Sequence, residues 1–284
     1  MTAEPIARVV ADLRAGRVRH VVADPRLNEL ALKRATTATV VDATAVYDAL
    51  VLKDEVWVYE DHPNIAPPWE SAAVCYVNEH GNVIVMQVTA DEIPERKRRR
   101  LWDTAGPVDW DRVRWVLDTF VWMGGRSEEF GPLSTTGPAH LWRFAVYEDG
   151  VPADLSWIQL MPERPLEQWD TAQFVLLGSL NFLGCRNVSL VEPVRPRPSR
   201  RRLERLGVKV HTINVKPVGK SYRGSGSGDG AGGPLTSVRG HFAEYGQNGK
   251  GLLFGRLAGR YWIPQHARGS KDVGESEKDY RLAP

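Results

Sequence analysis

Read from the N-terminus, the apolar positions of this chain first follow a helical period. Ile6, Val9, Val10 and Leu13 recur at three- and four-residue spacing and Gly16 follows, which predicts a helix over residues 4–15. Shorter helices are predicted over residues 27–34 and 43–52. The period then switches to two. Residues 55–59 alternate like a strand and run into a turn rich in proline at Pro63, Pro67 and Pro68. Residues 72–77 and 83–88 are apolar and flank Asn78-Glu-His-Gly-Asn82, the pattern of a β-hairpin with a short loop.

Further along, Trp115, Val116, Phe120 and Trp122 can share a buried helical face, and Asp109 and Asp111 suit a helix N-terminus. A helix is therefore expected over residues 109–122. Strands are expected at 141–147 and 155–161, then a long helix at 166–183. The second half of that helix is apolar nearly all round, which makes it the central buried helix. Pro193, Pro196 and Pro198 exclude a helix interior and predict an extended linker over residues 192–199. Ser199 can cap a short basic helix over 200–206, which Gly207 ends. Strands at 208–215, 235–245 and 252–263 complete the chain. Between the first two lies a Gly/Ser tract at 224–234, a flexible tether with too much backbone entropy to order unaided. The expected class is α+β: a mixed antiparallel sheet with a central buried helix in residues 1–191, and a smaller basic β-rich C-terminal unit in residues 200–284.

Composition adds little to this picture. With 42% hydrophobic and 25% charged residues in 284, the chain reads as an ordinary globular protein, and its ten tryptophans belong largely to the core. Cys75 and Cys185 sit far apart in apolar contexts, as buried reduced thiols do. No run of about eighteen apolar residues spans a membrane, and residues 1–16 lack the pattern of a secretory signal. A cytoplasmic location, with no membrane partner, is the expectation.

Charge changes the picture more. From residue 195 onward there are 18 Lys/Arg against 7 Asp/Glu, whereas residues 1–194 hold 19 against 28. The formal total of +2 thus conceals an acidic body joined to a basic end. Clustered positive charge concentrates polyanions, so nucleic acid is the first partner to consider. Arg195, Arg197, Arg200, Arg201, Arg202 and Arg205 form the densest cluster, and Arg201 and Arg205 share a helical face. The alternative is a solvated linker neutralised by the acidic body. Lys97-Arg-Arg-Arg100 is a second basic run, expected in a solvated turn.

Two local patterns in the basic end match: Val238-Arg-Gly-His-Phe242 and Pro264-Gln-His-Ala-Arg-Gly269, on strands expected to be neighbours. Arg239 and Arg268 can grip phosphate oxygens in bidentate fashion, while Gly240 and Gly269 let the backbone approach. The plainer alternative is that these side chains bond backbone carbonyls and tie two strands together. Phe242, Tyr245, Phe254, Tyr261 and Trp262 suit either base stacking or an ordinary strand core. No spacing fits a zinc site, and no phosphate loop, GxSxG or HExxH occurs, so no cofactor or metal is expected.

The segments Val238-Arg-Gly-His-Phe242, Tyr261-Trp-Ile263 and His266-Ala-Arg-Gly269 together resemble a signature of uncharacterised phage and bacterial mobile-element proteins, V-R-G-H-[FW] … Y-W-I-x-x-H-x-R-G. The resemblance covers about the last fifty residues and implies provenance from a phage or plasmid. The leading expectation is a protein that contacts nucleic acid, or a nucleic-acid-bound host complex, through Arg200, Arg201, Arg202, Arg205, Arg239, His241 and Arg268. One alternative is a metal-independent, toxin-like ribonuclease in which His241 and His266 exchange protons and Arg239 stabilises charge on phosphate. Another is an inhibitor whose acidic body binds a host protein.

Overall fold

Two apolar runs either side of a five-residue turn set the frame of the molecule. In this computed structural model, which describes residues 3–19, 25–52, 65, 70–92, 108–127, 131–151, 156–158, 167–216, 234–238, 241–246, 258–263, 266–268 and 270–276, they become β2 (Ser71–Val77) and β3 (Val83–Glu92). The strands pair antiparallel from Ser71–Thr89 to Val77–Val83. Asn78 shapes the turn: its side-chain oxygen accepts the N–H groups of His80 and Asn82 at 3.1 and 2.9 Å. The hairpin expected from the sequence is thus present.

The sheet grows outward from this hairpin in two ways. On one side β4 (Val113–Ser127), β5 (Gly131–Tyr147) and β6 (Ser156–Ile158) continue an antiparallel meander. On the other, β1 (Thr39–Asp42) runs parallel to β2, and β8 (Val210–Val215) parallel to β1. With β7 (Val188–Val191) beyond β8, the order is β6-β5-β4-β3-β2-β1-β8-β7. The sheet is mixed and the class is α+β.

Residues 109–122 depart from expectation. Only a single tight turn, Trp110–Arg112, is helical, and β4 follows it and pairs with β3 from Val83–Gly124 to Glu92–Trp115. The reason lies in burial on both sides. Phe120 and Trp122 enter one core with Val85, while Leu117 and Val121, out of phase with them by one position, are buried on the alternate face. A strand covered on both faces is apolar almost throughout, so it satisfies helical spacing as readily as strand spacing. Its Val, Trp, Phe and Thr content favours the strand.

Helices supply both covers. α1 (Ala3–Arg14) and α2 (Pro25–Ala35) lie on one face, where Ile6, Val10, Leu13, Ala31 and Ala35 bury against Val40, Cys75, Val85, Phe120 and Trp122. α3 (Thr44–Tyr47), prolonged by a wider turn over Asp48–Leu52, packs with α4 (Glu167–Leu183). Gly178 of α4 sits so close to Leu50 that an added Cβ would meet Leu50 Cδ1 at 3.0 Å. Val175, Leu176, Leu177 and Leu180 are at most 2% exposed, so the apolar half of α4 is largely buried, with Phe174 at its start left 37% exposed. Among the described residues no helix is long and apolar enough to cross a membrane. Cys75 and Cys185 are both buried thiols.

The chain divides into two compact units, residues 1–184 with 190–214, and residues 185–189 with 215–284. The 192–199 segment, the helix that begins within it and β8 up to Asn214 fall in the first unit. Residues 235–245, expected as one strand, are two: β9 (Pro234–Val238) and β10 (His241–Tyr245). β10 pairs with β11 (Gly259–Ile263), and β9 lies between β12 (His266–Arg268) and β13 (Ser270–Ser276). The strand expected at 55–59, the basic run 97–100, the Gly/Ser tract, and Arg239, Gly240, Phe254 and Gly269 lie outside the described residues.

Candidate nucleic-acid interface

The arginine cluster folds into one helix, α5 (Arg197–Leu206). Pro196 precedes its first turn and Pro198 lies within it, where a missing N–H removes no intrahelical bond. Gly207 ends it in the left-handed region at φ +65, a conformation glycine adopts without steric cost. Its buried anchor is Leu203, 7% exposed, which joins the core formed by α1 and the sheet, with Leu206 partly buried beside it.

The side away from Leu203 is dominated by arginine. The helix begins at Arg197 rather than at residue 200, so Arg197, Arg201 and Arg205 stand at i, i+4 and i+8 on one exposed line. That row is about 12 Å long at the helical rise. Two further arginines flank it and are already paired. Arg200 Nε lies 3.6 Å from Glu204, one turn on, and Arg202 Nη1 lies 3.3 Å from Glu4 of α1. Among the described residues, the three arginines of the central row have no carboxylate partner. Arg205 instead donates from Nε to the carbonyl of Arg201 at 3.4 Å.

Such a row is costly without an anion. Each like-charged i,i+4 pair destabilises a helix by about 0.2–0.5 kcal/mol. The first-turn arginine also opposes the helix dipole. Exposed pairs such as Arg202–Glu4 contribute at most about 1 kcal/mol and compete weakly with a polyanion.

Beside the helix runs a groove of about 650 Å³ between the 192–195 segment, α5 and the chain leading into β8. Arg195, Arg200 and Lys209 line it together with Glu192 and Glu204, over Leu203 and Val208. Arg195 is held in place by a bond from Nη2 to the carbonyl of Val210 at 3.2 Å. Arg195, Arg197 and Lys209 extend the basic surface beyond the four helical residues singled out from the sequence. Helical phase from residue 197 is the signal for Arg197, and it is hidden by the prolines on either side.

The remaining candidates sit in the second unit. Val238 stands opposite His266, and Thr236 opposite Arg268. His241 stands opposite Ile263, and Phe242 opposite Trp262. These pairs belong to two different sheets, and residues 239–240 and 264–265 between them lie outside the described residues. His241 is half-buried on β10, while His266 belongs to β12 in the separate three-stranded sheet.

What holds β11 is a residue the sequence did not flag. Asn187 donates from Nδ2 to the carbonyl of Trp262 at 2.7 Å and accepts the Trp262 N–H at 2.9 Å on Oδ1. It donates as well to the carbonyl of Lys216 at 3.0 Å. Arg186 N–H reaches the carbonyl of Arg260 at 2.9 Å. Gly259, at φ +119, lets this approach happen, since a Cβ there would meet Arg186 Nε at 2.5 Å. Arg260 is 5% exposed, with its guanidinium 4.4 Å from the centre of the Phe242 ring. Burial lowers its pKa, which the neighbouring Cys185 and Glu244 act to raise. Burial pushes the Cys185 thiol up to about 11 despite the opposing charge and hydrogen bond of Arg260. Arg260, Phe242 and Trp262 thus form a packed interior, as the plainer reading of these aromatics holds.

No family model, no curated protein and no solved structure matches the chain.

Proposed function

We propose that this protein binds nucleic acid through α5, with phosphates lying along Arg197, Arg201 and Arg205 and in the groove beside them. The observation that carries this reading is the row of three exposed arginines, held outward by the buried Leu203 and left without carboxylate partners among the described residues. The contacts are to backbone charge, so binding is tolerant of sequence. The resemblance of the C-terminal segment to phage and mobile-element proteins supports a setting in which nucleic acid is at hand.

Salt dependence tests it directly. The three contacts of the row alone contribute about −2.7 to the slope of log affinity against log salt on duplex DNA and about −2.1 on a single strand. Replacing Arg197, Arg201 and Arg205 together with alanine is expected to weaken binding of unrelated oligonucleotides alike and to flatten the slope. Fluorescence anisotropy across a salt series measures both. Affinity that ignores salt, or a triple variant that binds as wild type, rules the interface out.

A further inference from the structure

A second concavity lies next to the basic helix, and phosphate binding does not account for it. It is a cavity of about 320 Å³ at the carboxyl end of β1 and beside the middle of the neighbouring parallel strand β8, where Asp42 and Thr212 stand opposite one another in register. Glu4, from the first turn of α1, and Ser199, from the first turn of α5, also line it. Pro193, Arg195 and Leu203 belong to this cavity and to the larger groove alike.

The lining sorts ligands by chemistry. Asp42 is 8% exposed, and its carboxylate is oriented by the Thr44 N–H at 3.0 Å and the Thr44 hydroxyl at 2.7 Å. A carboxylate only accepts hydrogen bonds, so the complement of Asp42 is a donor pair and its charge disfavours a phosphate beside it. Ser199 and Thr212 add hydroxyls that donate or accept. Arg195, in the wall shared with the groove, carries five donors and spends one on Val210. A phosphate is therefore favoured on the Arg195 side and a neutral polyol on the Asp42 side.

We infer that this cavity takes a ribose, with its vicinal 2′- and 3′-hydroxyls on Asp42 and the adjoining 5′-phosphate on Arg195. The volume, at the small end for ligand pockets, suits a nucleoside-sized group. Two sources carry that chemistry: a free ribonucleoside 5′-monophosphate, and the 3′ end of an RNA strand whose earlier phosphates follow the groove. The second source rests on the nucleic-acid reading above.

The test uses the full chain and two sets of probes. Titration calorimetry compares uridine 5′-monophosphate and adenosine 5′-monophosphate with their 2′-deoxy forms. Anisotropy compares one RNA ending in a 2′,3′-diol with the same RNA ending in a 2′,3′-dideoxynucleotide. A preference of about tenfold or more for the hydroxylated probe is expected, and Asp42→Asn should abolish it. Thr212→Val, a milder change at the facing position, should reduce the same preference and carries the test where Asp42→Asn fails to fold. Preference in both sets assigns the strand end, and preference among mononucleotides alone assigns the free nucleotide. RNA that binds without discrimination, with no discrimination among mononucleotides, overturns the ribose site and leaves α5 as the interface. Failure of every RNA to bind, with mononucleotides still discriminated, removes the nucleic-acid reading and keeps the pocket.

Discussion

At the scale of single residues, Asn187 ties the second unit together. Its amide serves the N–H and the carbonyl of one residue, Trp262, and the carbonyl of Lys216 besides. Asn187 is 8% exposed, so a substitution strands buried backbone groups away from water. Leaving such a group unsatisfied costs about 1–3 kcal/mol. Asn187→Ala is expected to destabilise β11 by about 3 kcal/mol, read as faster hydrogen exchange at the Trp262 amide. Asn187→Asp should be no milder, because it keeps the acceptor but replaces a two-bond donor with a charge facing two carbonyls. Exchange at Trp262 that is unchanged in both variants would show that β10 alone holds the strand.

At the scale of elements, α5 works as a lever with one buried point. Leu203 is its buried residue and five of its ten positions are arginine, so the packing of a single side chain decides whether the basic row is rigid. Truncating such a residue costs about 2–5 kcal/mol. Leu203→Ala is expected to free the helix, and limited trypsin digestion reads this out as faster cleavage after Arg200, Arg201, Arg202 and Arg205. Unaltered cleavage would mean that the helix is held by something other than Leu203. The same element shows why part of the candidate site was legible in the sequence. Gly207 marked the end of the helix correctly, because a left-handed cap has a local signature. Its start was misplaced because the prolines at 196 and 198 read as a linker, although both positions are permitted around a first turn. The hairpin, α1 and α4 were legible for the same reason as Gly207: their patterns are local and their burial is one-sided or complete. β1 and β7 were missed because four residues, Thr39-Val-Val-Asp42 and Val188-Ser-Leu-Val191, are too short to show a period. Their loss hid the parallel half of the sheet, and with it the crevice at Asp42 and Thr212.

For the whole molecule, the open question is whether binding follows total charge or its arrangement. The formal net charge is only +2, so the global field offers little attraction, and the argument for nucleic acid rests on how charge is gathered on α5. Two double variants separate these causes. Arg201→Glu with Arg205→Glu takes the formal charge from +2 to −2, and so does Arg17→Glu with Arg114→Glu. Arg17 and Arg114 are exposed and each makes one surface pair, with Asp12 and Glu92, so losing them costs about 1 kcal/mol apiece or less. At 0.1 M salt the screening length is about 10 Å, and charges set farther than that from the bound strand contribute little. The first variant is expected to lose binding at least tenfold and to flatten the single-strand salt slope by about 1.4, as two contacts of the row disappear. The second is expected to bind as wild type with the slope intact. Equal losses in both would mean that a diffuse field does the binding, and the ordered row on α5 would then have no special part in it. A loss confined to the first would tie recognition to 12 Å of helix surface on a protein that is otherwise close to neutral.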